Sequence, residues 1–217
     1  MNKNFRGVLF DMDGVLIDSE DVTAEAAALA LAEFGAVCDP DEFRPYRGGS
    51  PDRYFGCVAQ AHGVAFDPRM KERTYDRYEE LTKSRRIAYP GVPELVRELK
   101  SLGYLLAVCS SSDARKLKIS LAASGIAEDD LCAALSGENF QNNKPAPDVY
   151  LAGAQSLGLP PSECLVVEDA INGILAGKAA GCSVAAVPTS FEKTQLLGAG
   201  ADFLLEKIGD LAEFLRK

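Results

Sequence analysis

The sequence lacks three features that would each point to a particular class of protein. Basic residues are in the minority, 23 Lys and Arg against 32 Asp and Glu, and the net charge of −9 argues against nucleic acid as a partner, because that contact needs clustered basic side chains. The six cysteines include no CxxC pair, so free thiols in a reducing cytoplasm are expected rather than disulfides. No apolar run is long enough to span a bilayer, so no membrane partner is expected.

Internal repeats, low-complexity segments and flexible linkers are missing as well. Nothing ahead of Asp11 resembles a signal peptide, which predicts a cytoplasmic protein. A chain of 217 residues can bury a full core, either as one domain or as a domain with a smaller insertion. The oligomeric state is left open by the sequence, and a monomer is compatible with it.

The order of strand-like and helix-like segments indicates the fold class. Residues 18–87 contain helical patterns and no convincing strand, whereas apolar strands and helices alternate from residue 88 onward. Such alternation predicts a parallel sheet with helices on both faces. We therefore expect an α/β protein with a Rossmann-like core formed by residues 1–17 and 88–217, and an inserted all-helical cap formed by residues 18–87.

The first chemical motif follows the first strand. Val8 to Phe10 is an unbroken apolar run, typical of a buried parallel strand, and Asp11, Asp13 and Gly14 come directly after it. Open α/β sheets bind their ligands at the carboxyl ends of the strands. Two acids there suit a divalent cation, with one acting as nucleophile or ligand and the other as acid and base. Gly14 allows the backbone to approach a bound group closely.

Three later segments carry further polar groups just after apolar runs or ahead of helices. Ser110 and Ser111 lie between a strand and a helix, where hydroxyls and free N–H groups suit a phosphoryl group. Taken alone, such a cluster is more often a helix N-cap, here at Ser112. Lys144 stands in the sequence Lys-Pro-Ala-Pro-Asp. Glu168 and Asp169 end another apolar strand and supply hard oxygen ligands of the kind Mg²⁺ prefers.

Taken together, these four motifs resemble the signature of the haloacid dehalogenase superfamily of Mg²⁺-dependent phosphotransferases, in the branch of β-phosphoglucomutase and sugar-phosphate phosphatases. The resemblance implies that Asp11 is the nucleophile and Asp13 the general acid and base. It also implies that Ser110 and Lys144 bind the phosphoryl group. The implied metal ligands are Asp11, the backbone carbonyl of Asp13, and Asp169, with Glu168 as a ligand or a supporting group.

The resemblance implies a Mg²⁺-dependent phosphatase that acts on a small phosphorylated metabolite, a sugar phosphate above all, through an aspartyl phosphate. A phosphohexomutase is the alternative within the family, and a non-catalytic phosphate-binding protein is the alternative outside it. Thr23 and Pro51 occupy positions where the mutases carry a His and an Arg, which weakens the mutase interpretation. Arg47 or Arg53 could replace that arginine, and the only histidine, His62, is expected to be structural.

Overall fold

A computed structural model describes residues 5–46 and 51–216, without the side chains of residues 51 and 52. The chain divides into two compact units, one formed by Met1–Asp18 with Ala88–Lys217 and the other by Ser19–Ile87. The boundaries lie within one residue of those expected for core and cap, while the role of the second unit as a cap stays a prediction.

The larger unit is built on a six-stranded sheet in the order β3-β2-β1-β4-β5-β6, in which every pair is parallel. The strands are β1 Gly7–Phe10, β2 Leu105–Cys109, β3 Ala133–Leu135, β4 Cys164–Glu168, β5 Ser183–Ala186 and β6 Phe203–Leu204. The predicted α/β class is confirmed. Because β1 lies between β2 and β4, the residues that follow these three strands share one edge of the sheet.

Within the described residues, six α-helices accompany the sheet. They are α4 Val92–Ser101, α5 Ala114–Ser124, α6 Asp148–Ser156, α7 Ile171–Ala179, α8 Lys193–Gly198 and α9 Leu211–Arg216. One face of the sheet packs against α6, α7 and α8 through a core that includes Leu9, Val166 and Val184. Neighbouring strand residues point to opposite faces, and Val8 and Phe10 are fully buried too. Both faces of the sheet are therefore covered, which explains the unbroken apolar runs.

The smaller unit is helical, as expected. It contains α1 Glu20–Ala32, the 3₁₀ helix Pro40–Tyr46, α2 Pro51–Ala61 and α3 Arg69–Thr82. Its core is formed by alanines and larger apolar side chains, among them Ala27, Leu31, Phe43 and Met70. Glu33 at the end of α1 accepts hydrogen bonds from Arg73 and Arg77 of α3, which ties the two longest helices of this unit together.

Candidate active site

Asp11 lies at the carboxyl end of β1 and is paired with a buried lysine. Its backbone N–H continues the ladder by donating to Val167 O at 3.0 Å, so the residue is fixed by the sheet. Lys144 Nζ donates to Asp11 Oδ1 at 2.5 Å and to the carbonyl of Cys109, the last residue of β2, at 2.9 Å. The Lys144 side chain is only 6% exposed. The motifs containing Asp11 and Lys144, predicted to act together, therefore lie in contact.

Glu168 is the second partner of Lys144, and all its polar capacity is used inside the protein. Oε1 accepts from Lys144 Nζ at 2.8 Å and from the buried hydroxyl of Tyr150 at 2.7 Å. Oε2 accepts from the backbone N–H groups of Asp169 and Ala170, both at 3.0 Å. Of the two roles predicted for Glu168, these contacts favour that of a supporting group over that of a metal ligand.

Asp169 faces the turn that follows Asp11. A Cβ atom placed on Gly14 would lie 2.0 Å from Asp169 Oδ2, and Gly14 has φ +85°, so this position needs glycine both for its conformation and for space. Ser190 donates to Asp169 Oδ2, and Thr189 donates to the carbonyl of Gly14 at 2.6 Å. The glycine predicted to permit a close approach thus makes room for a carboxylate of the same site.

Asp13 is held by the segment that follows β2. Ser112 Oγ donates to Asp13 Oδ2 at 3.1 Å, and Lys116 Nζ donates to Asp13 Oδ1 at 2.8 Å. The expectation that Ser112 caps the following helix is wrong. Asp113 is the N-cap of α5, since its side chain accepts from the N–H of Lys116, which leaves the Ser112 hydroxyl for Asp13.

The two serines predicted to bind phosphate differ in their surroundings. Ser110 is buried, its N–H donates to Leu135 O, and its Oγ accepts from the N–H of Ser112. Ser111 is exposed. The register pairs Phe10 with Val108, so Asp11 and the serine segment follow neighbouring strands at the same edge. The predicted phosphate-binding roles of Ser110 and Ser111 remain predictions.

Negative charge exceeds positive charge in this buried cluster. Burial raises the pKa of Asp11 to about 7, which Lys144 opposes and Glu168 reinforces. Burial, with Glu168 and Asp11, raises the pKa of Asp169 to about 8. Burial alone would lower the pKa of Lys144, but Asp11 and Glu168 outweigh it and the pKa is raised. The cluster therefore has one cation, Lys144, for three carboxylates. The raised pKa values of Asp11 and Asp169 mean that these two groups tend to keep protons where a second cation is missing.

This imbalance fits a divalent cation. Among the described residues no three Asp, Glu, His or Cys side chains are arranged to hold a metal ion. The set implied by the resemblance needs only the carboxylates of Asp11 and Asp169 with the carbonyl of Asp13, all oxygen donors as Mg²⁺ prefers. A cation there would replace the protons that burial keeps on the two carboxylates.

Four residues of the site were missed by the sequence reasoning, namely Lys116, Tyr150, Thr189 and Ser190. Thr189 and Ser190 follow β5, which neighbours β4. Ligands bind at the carboxyl ends of parallel strands, so the reasoning applied to β1, β2 and β4 could also have found these two residues. Tyr150 lies in the first turn of α6 and Lys116 in the first turn of α5. A single tyrosine or lysine in such a turn carries no sequence signal of its own.

The residues predicted to separate phosphatase from mutase belong to the smaller unit. Thr23 carries a buried hydroxyl without a hydrogen-bond partner in the part of the chain described. His62 Nε2 pairs with Glu42 Oε2 at 2.8 Å, in agreement with a structural role. Arg53 is exposed. Arg47 and the side chain of Pro51 lie outside the described residues.

Comparison with known proteins gives relatives that match nearly the whole chain. The chain is 33% identical over 187 residues to hexitol phosphatase A of Escherichia coli, and the match covers 84% of this chain and 82% of the relative. It is 40% identical over 209 residues to the chloroplastic protein SUPPRESSOR OF QUENCHING 1 of Arabidopsis thaliana, covering 94% of this chain and 20% of that protein. The chain thus corresponds to one fifth of the Arabidopsis protein. Because that protein is named chloroplastic, the cytoplasmic location remains a prediction.

A solved structure shows the same architecture. The crystal structure of a putative β-phosphoglucomutase from Thermotoga maritima superimposes with a TM-score of 0.84 at 27% identity, covering 98% of this chain and 99% of that one.

In the described residues no helix has the length and apolar character needed to cross a membrane. The prediction of a phosphoric monoester hydrolase agrees with the phosphatase names among the relatives. The model of the haloacid dehalogenase-like hydrolases matches residues 8–187, and the chain belongs to that family.

Proposed function

We propose that this chain is a Mg²⁺-dependent phosphatase that hydrolyses a small phosphorylated metabolite, in particular a sugar phosphate, through an aspartyl phosphate. One observation carries the proposal. The buried Lys144 joins Asp11, which follows β1, to Glu168, which ends β4, in a cluster where negative charge exceeds positive charge. A dianionic phosphate ester and a cation together would fit such a cluster, because each offsets the charge of the other.

The proposed reaction uses the core residues in two steps. Asp11 Oδ attacks phosphorus in line with the leaving oxygen, while Lys144 and Ser110 stabilise the charge on the phosphoryl oxygens. Asp13 donates a proton to the departing alkoxide. It then takes a proton from the water that hydrolyses the aspartyl phosphate, which restores Asp11 and releases inorganic phosphate.

Asp11, Asp169 and the carbonyl of Asp13 would hold the Mg²⁺. When bound, the metal would act as a Lewis acid on the phosphoryl oxygens and lower the negative charge that the substrate meets. The protein supplies the position of these oxygens. β1 fixes Asp11, the Ser190 hydroxyl holds Asp169, and Thr189 holds the carbonyl of the adjacent Gly14.

The substrate class rests on the relatives and on the charge of the protein. Relatives are named for phosphatase activity on a hexitol phosphate, on pseudouridine 5′-phosphate and on phosphoglycolate, all small phosphate monoesters. The net charge of −9 disfavours polyanionic partners such as nucleic acids. A small monoester that brings a single phosphate to a metal site remains the best fit.

The test is a screen of phosphorylated metabolites with Mg²⁺ in which released phosphate is measured, run on the wild type and on Asp11→Asn. The amide is nearly isosteric with the carboxylate but a poor nucleophile, so we expect a loss of at least about 10³-fold, or about 4 kcal/mol of barrier. More than a tenth of wild-type activity in Asp11→Asn would refute the aspartyl-phosphate mechanism. Phosphate binding without turnover of any ester would favour the non-catalytic alternative.

The likeness to a putative β-phosphoglucomutase keeps a second candidate, a phosphohexomutase. A mutase must protect its phosphoenzyme from water while a sugar bisphosphate reorients. The residues resembling that function are replaced by Thr23 and Pro51 here. Feeding β-glucose 1-phosphate with a trace of glucose 1,6-bisphosphate separates the two candidates. We expect free phosphate to dominate, and glucose 6-phosphate formed much faster than inorganic phosphate would establish the mutase.

A further inference from the structure

We infer that Lys116 is a positioning residue that holds the carboxylate of Asp13 in the direction needed for proton transfer. The inference rests on the proposed function, because it gives Asp13 the work of an acid and base. It does not follow from the family motifs, since Lys116 lies outside all four of them.

Each oxygen of the Asp13 carboxylate accepts a hydrogen bond from a different side chain. Lys116 Nζ holds Oδ1 at 2.8 Å and Ser112 Oγ holds Oδ2 at 3.1 Å. An aspartate side chain has two rotatable bonds. Two donors on different carboxylate oxygens therefore restrict its rotation more than a single donor would. The orientation of an acid relative to the leaving oxygen is a major part of its catalytic effect.

Lys116 is itself fixed by its neighbours. The N–H of Lys116 donates to the N-cap Asp113 at 3.0 Å, which pins its backbone in the first turn of α5. β2 neighbours β1, so the start of α5 lies beside the turn that carries Asp13. The Lys116 side chain is 15% exposed and that of Asp13 is 26% exposed, so the pair is partly shielded from the water that weakens surface ion pairs.

The placement of Lys116 is not explained by the stability of its helix. A helix N-terminus carries a partial positive charge, and cations in the first turn are unfavourable there. The first turn of α5 holds Lys116 and no acidic residue, and the N-cap Asp113 is the acid that precedes it. Ordering a lysine side chain also costs conformational entropy. The ion pair with Asp13 contributes to offsetting both costs.

The experiment compares Lys116→Met with the matched control Lys118→Met, which alters an exposed lysine of the same helix. Two substrates are used, p-nitrophenyl phosphate and the sugar phosphate with the highest wild-type kcat/KM. The nitrophenolate leaves as a stable anion and needs little help from an acid, whereas an alkoxide must be protonated as it departs. The ratio kcat/KM reports formation of the phosphoenzyme, the step in which Asp13 acts as an acid.

For Lys116→Met we expect kcat/KM to fall by at least about tenfold with the sugar phosphate and by less than about threefold with p-nitrophenyl phosphate, since general acid catalysis contributes about 10²–10⁴-fold. Lys118→Met should match the wild type with both substrates. Lys116→Arg, which keeps the charge and the reach, should recover part of the loss. Equal losses with the two substrates, no loss, or an arginine variant no better than the methionine variant would overturn the inference.

A crystal structure of Lys116→Met separates this inference from the proposed function. We expect the Asp13 carboxylate to adopt more than one conformation in that variant and a single one in the wild type. A wild type that is inactive on every phosphate ester would refute the proposed function. In that case the inference is judged by the structures alone, and an unchanged Asp13 in Lys116→Met would overturn it.

Discussion

Replacing Gly173 with alanine should damage the site from a position that touches neither substrate nor metal. Gly173 lies in α7 beneath the side chain of Glu168. A Cβ atom there would stand 1.7 Å from Glu168 Oε1 and 1.9 Å from its Cδ, far inside van der Waals contact. Glu168 must therefore leave its place, and the hydrogen bonds from Lys144, Tyr150 and two backbone N–H groups are lost or distorted.

The magnitude follows from opposing effects. Breaking a buried ion pair by displacing one partner costs about 3–5 kcal/mol, because the other charge is left uncompensated. Alanine in place of glycine inside a helix increases the free energy of unfolding by about 1 kcal/mol. We expect the free energy of unfolding of Gly173→Ala to fall by about 2–4 kcal/mol, the difference between these values. Turnover should fall as well, since Lys144 loses one of the two acids that orient it.

The assay is urea unfolding followed by circular dichroism, with phosphatase activity measured under conditions where the variant is folded. Gly198→Ala is the matched control, since a Cβ atom placed on this helical glycine would have nothing within 4 Å. It should be neutral or stabilising by up to about 1 kcal/mol. A Gly173→Ala protein with wild-type stability and full activity would refute the structural role assigned to Glu168.

Two further predictions concern pH and the smaller unit. Because the pKa values of Asp11 and Asp169 are raised from 3.8 to about 7 and about 8, the folded metal-free protein binds protons that the unfolded chain loses, so its free energy of unfolding should fall as pH rises from about 4 to 8. Mg²⁺ should accordingly raise Tm more at pH 8 than at pH 5, and equal shifts would contradict the charge imbalance. Thr23→Val removes a buried hydroxyl that has no partner among the described residues, so urea unfolding should show no loss, or a gain of about 1 kcal/mol. A loss above about 1 kcal/mol would indicate a hydrogen bond to this hydroxyl in the native protein.

The sequence allowed the sheet and part of the cluster to be predicted for one physical reason. Apolar runs mark strands buried on both faces, and the carboxyl ends of parallel strands meet at one edge. This reasoning alone brings Asp11, Ser110 and Asp169 to the same edge. Lys144 follows no such run, and it was found only through the resemblance of its motif.

Side chains that approach from helices could not be predicted in this way. Tyr150 reaches Glu168, and Lys116 reaches Asp13, over sequence separations of 18 and 103 residues. Helical spacing places a residue on a face of its own helix, but which strand end lies opposite depends on how the helix packs. The choice of Asp113 over Ser112 as the N-cap is a similar case, because both residue types cap helices well and the contact of Ser112 with Asp13 depends on the tertiary structure.

The distribution of charge bears on how an acidic protein would bind the phosphate ester proposed as its substrate. Asp13 pairs with Lys116, whereas Lys144 is the one cation among the described residues that pairs with the cluster of Asp11, Glu168 and Asp169. Three carboxylates against one ammonium leave a deficit of two positive charges, equal to the charge of a divalent cation. The excess negative charge of these carboxylates would repel an anionic ester. A bound divalent cation would neutralise that charge and allow the ester to bind. If Asp11 and Asp169 bind the metal as proposed, phosphate binding should therefore depend on the metal.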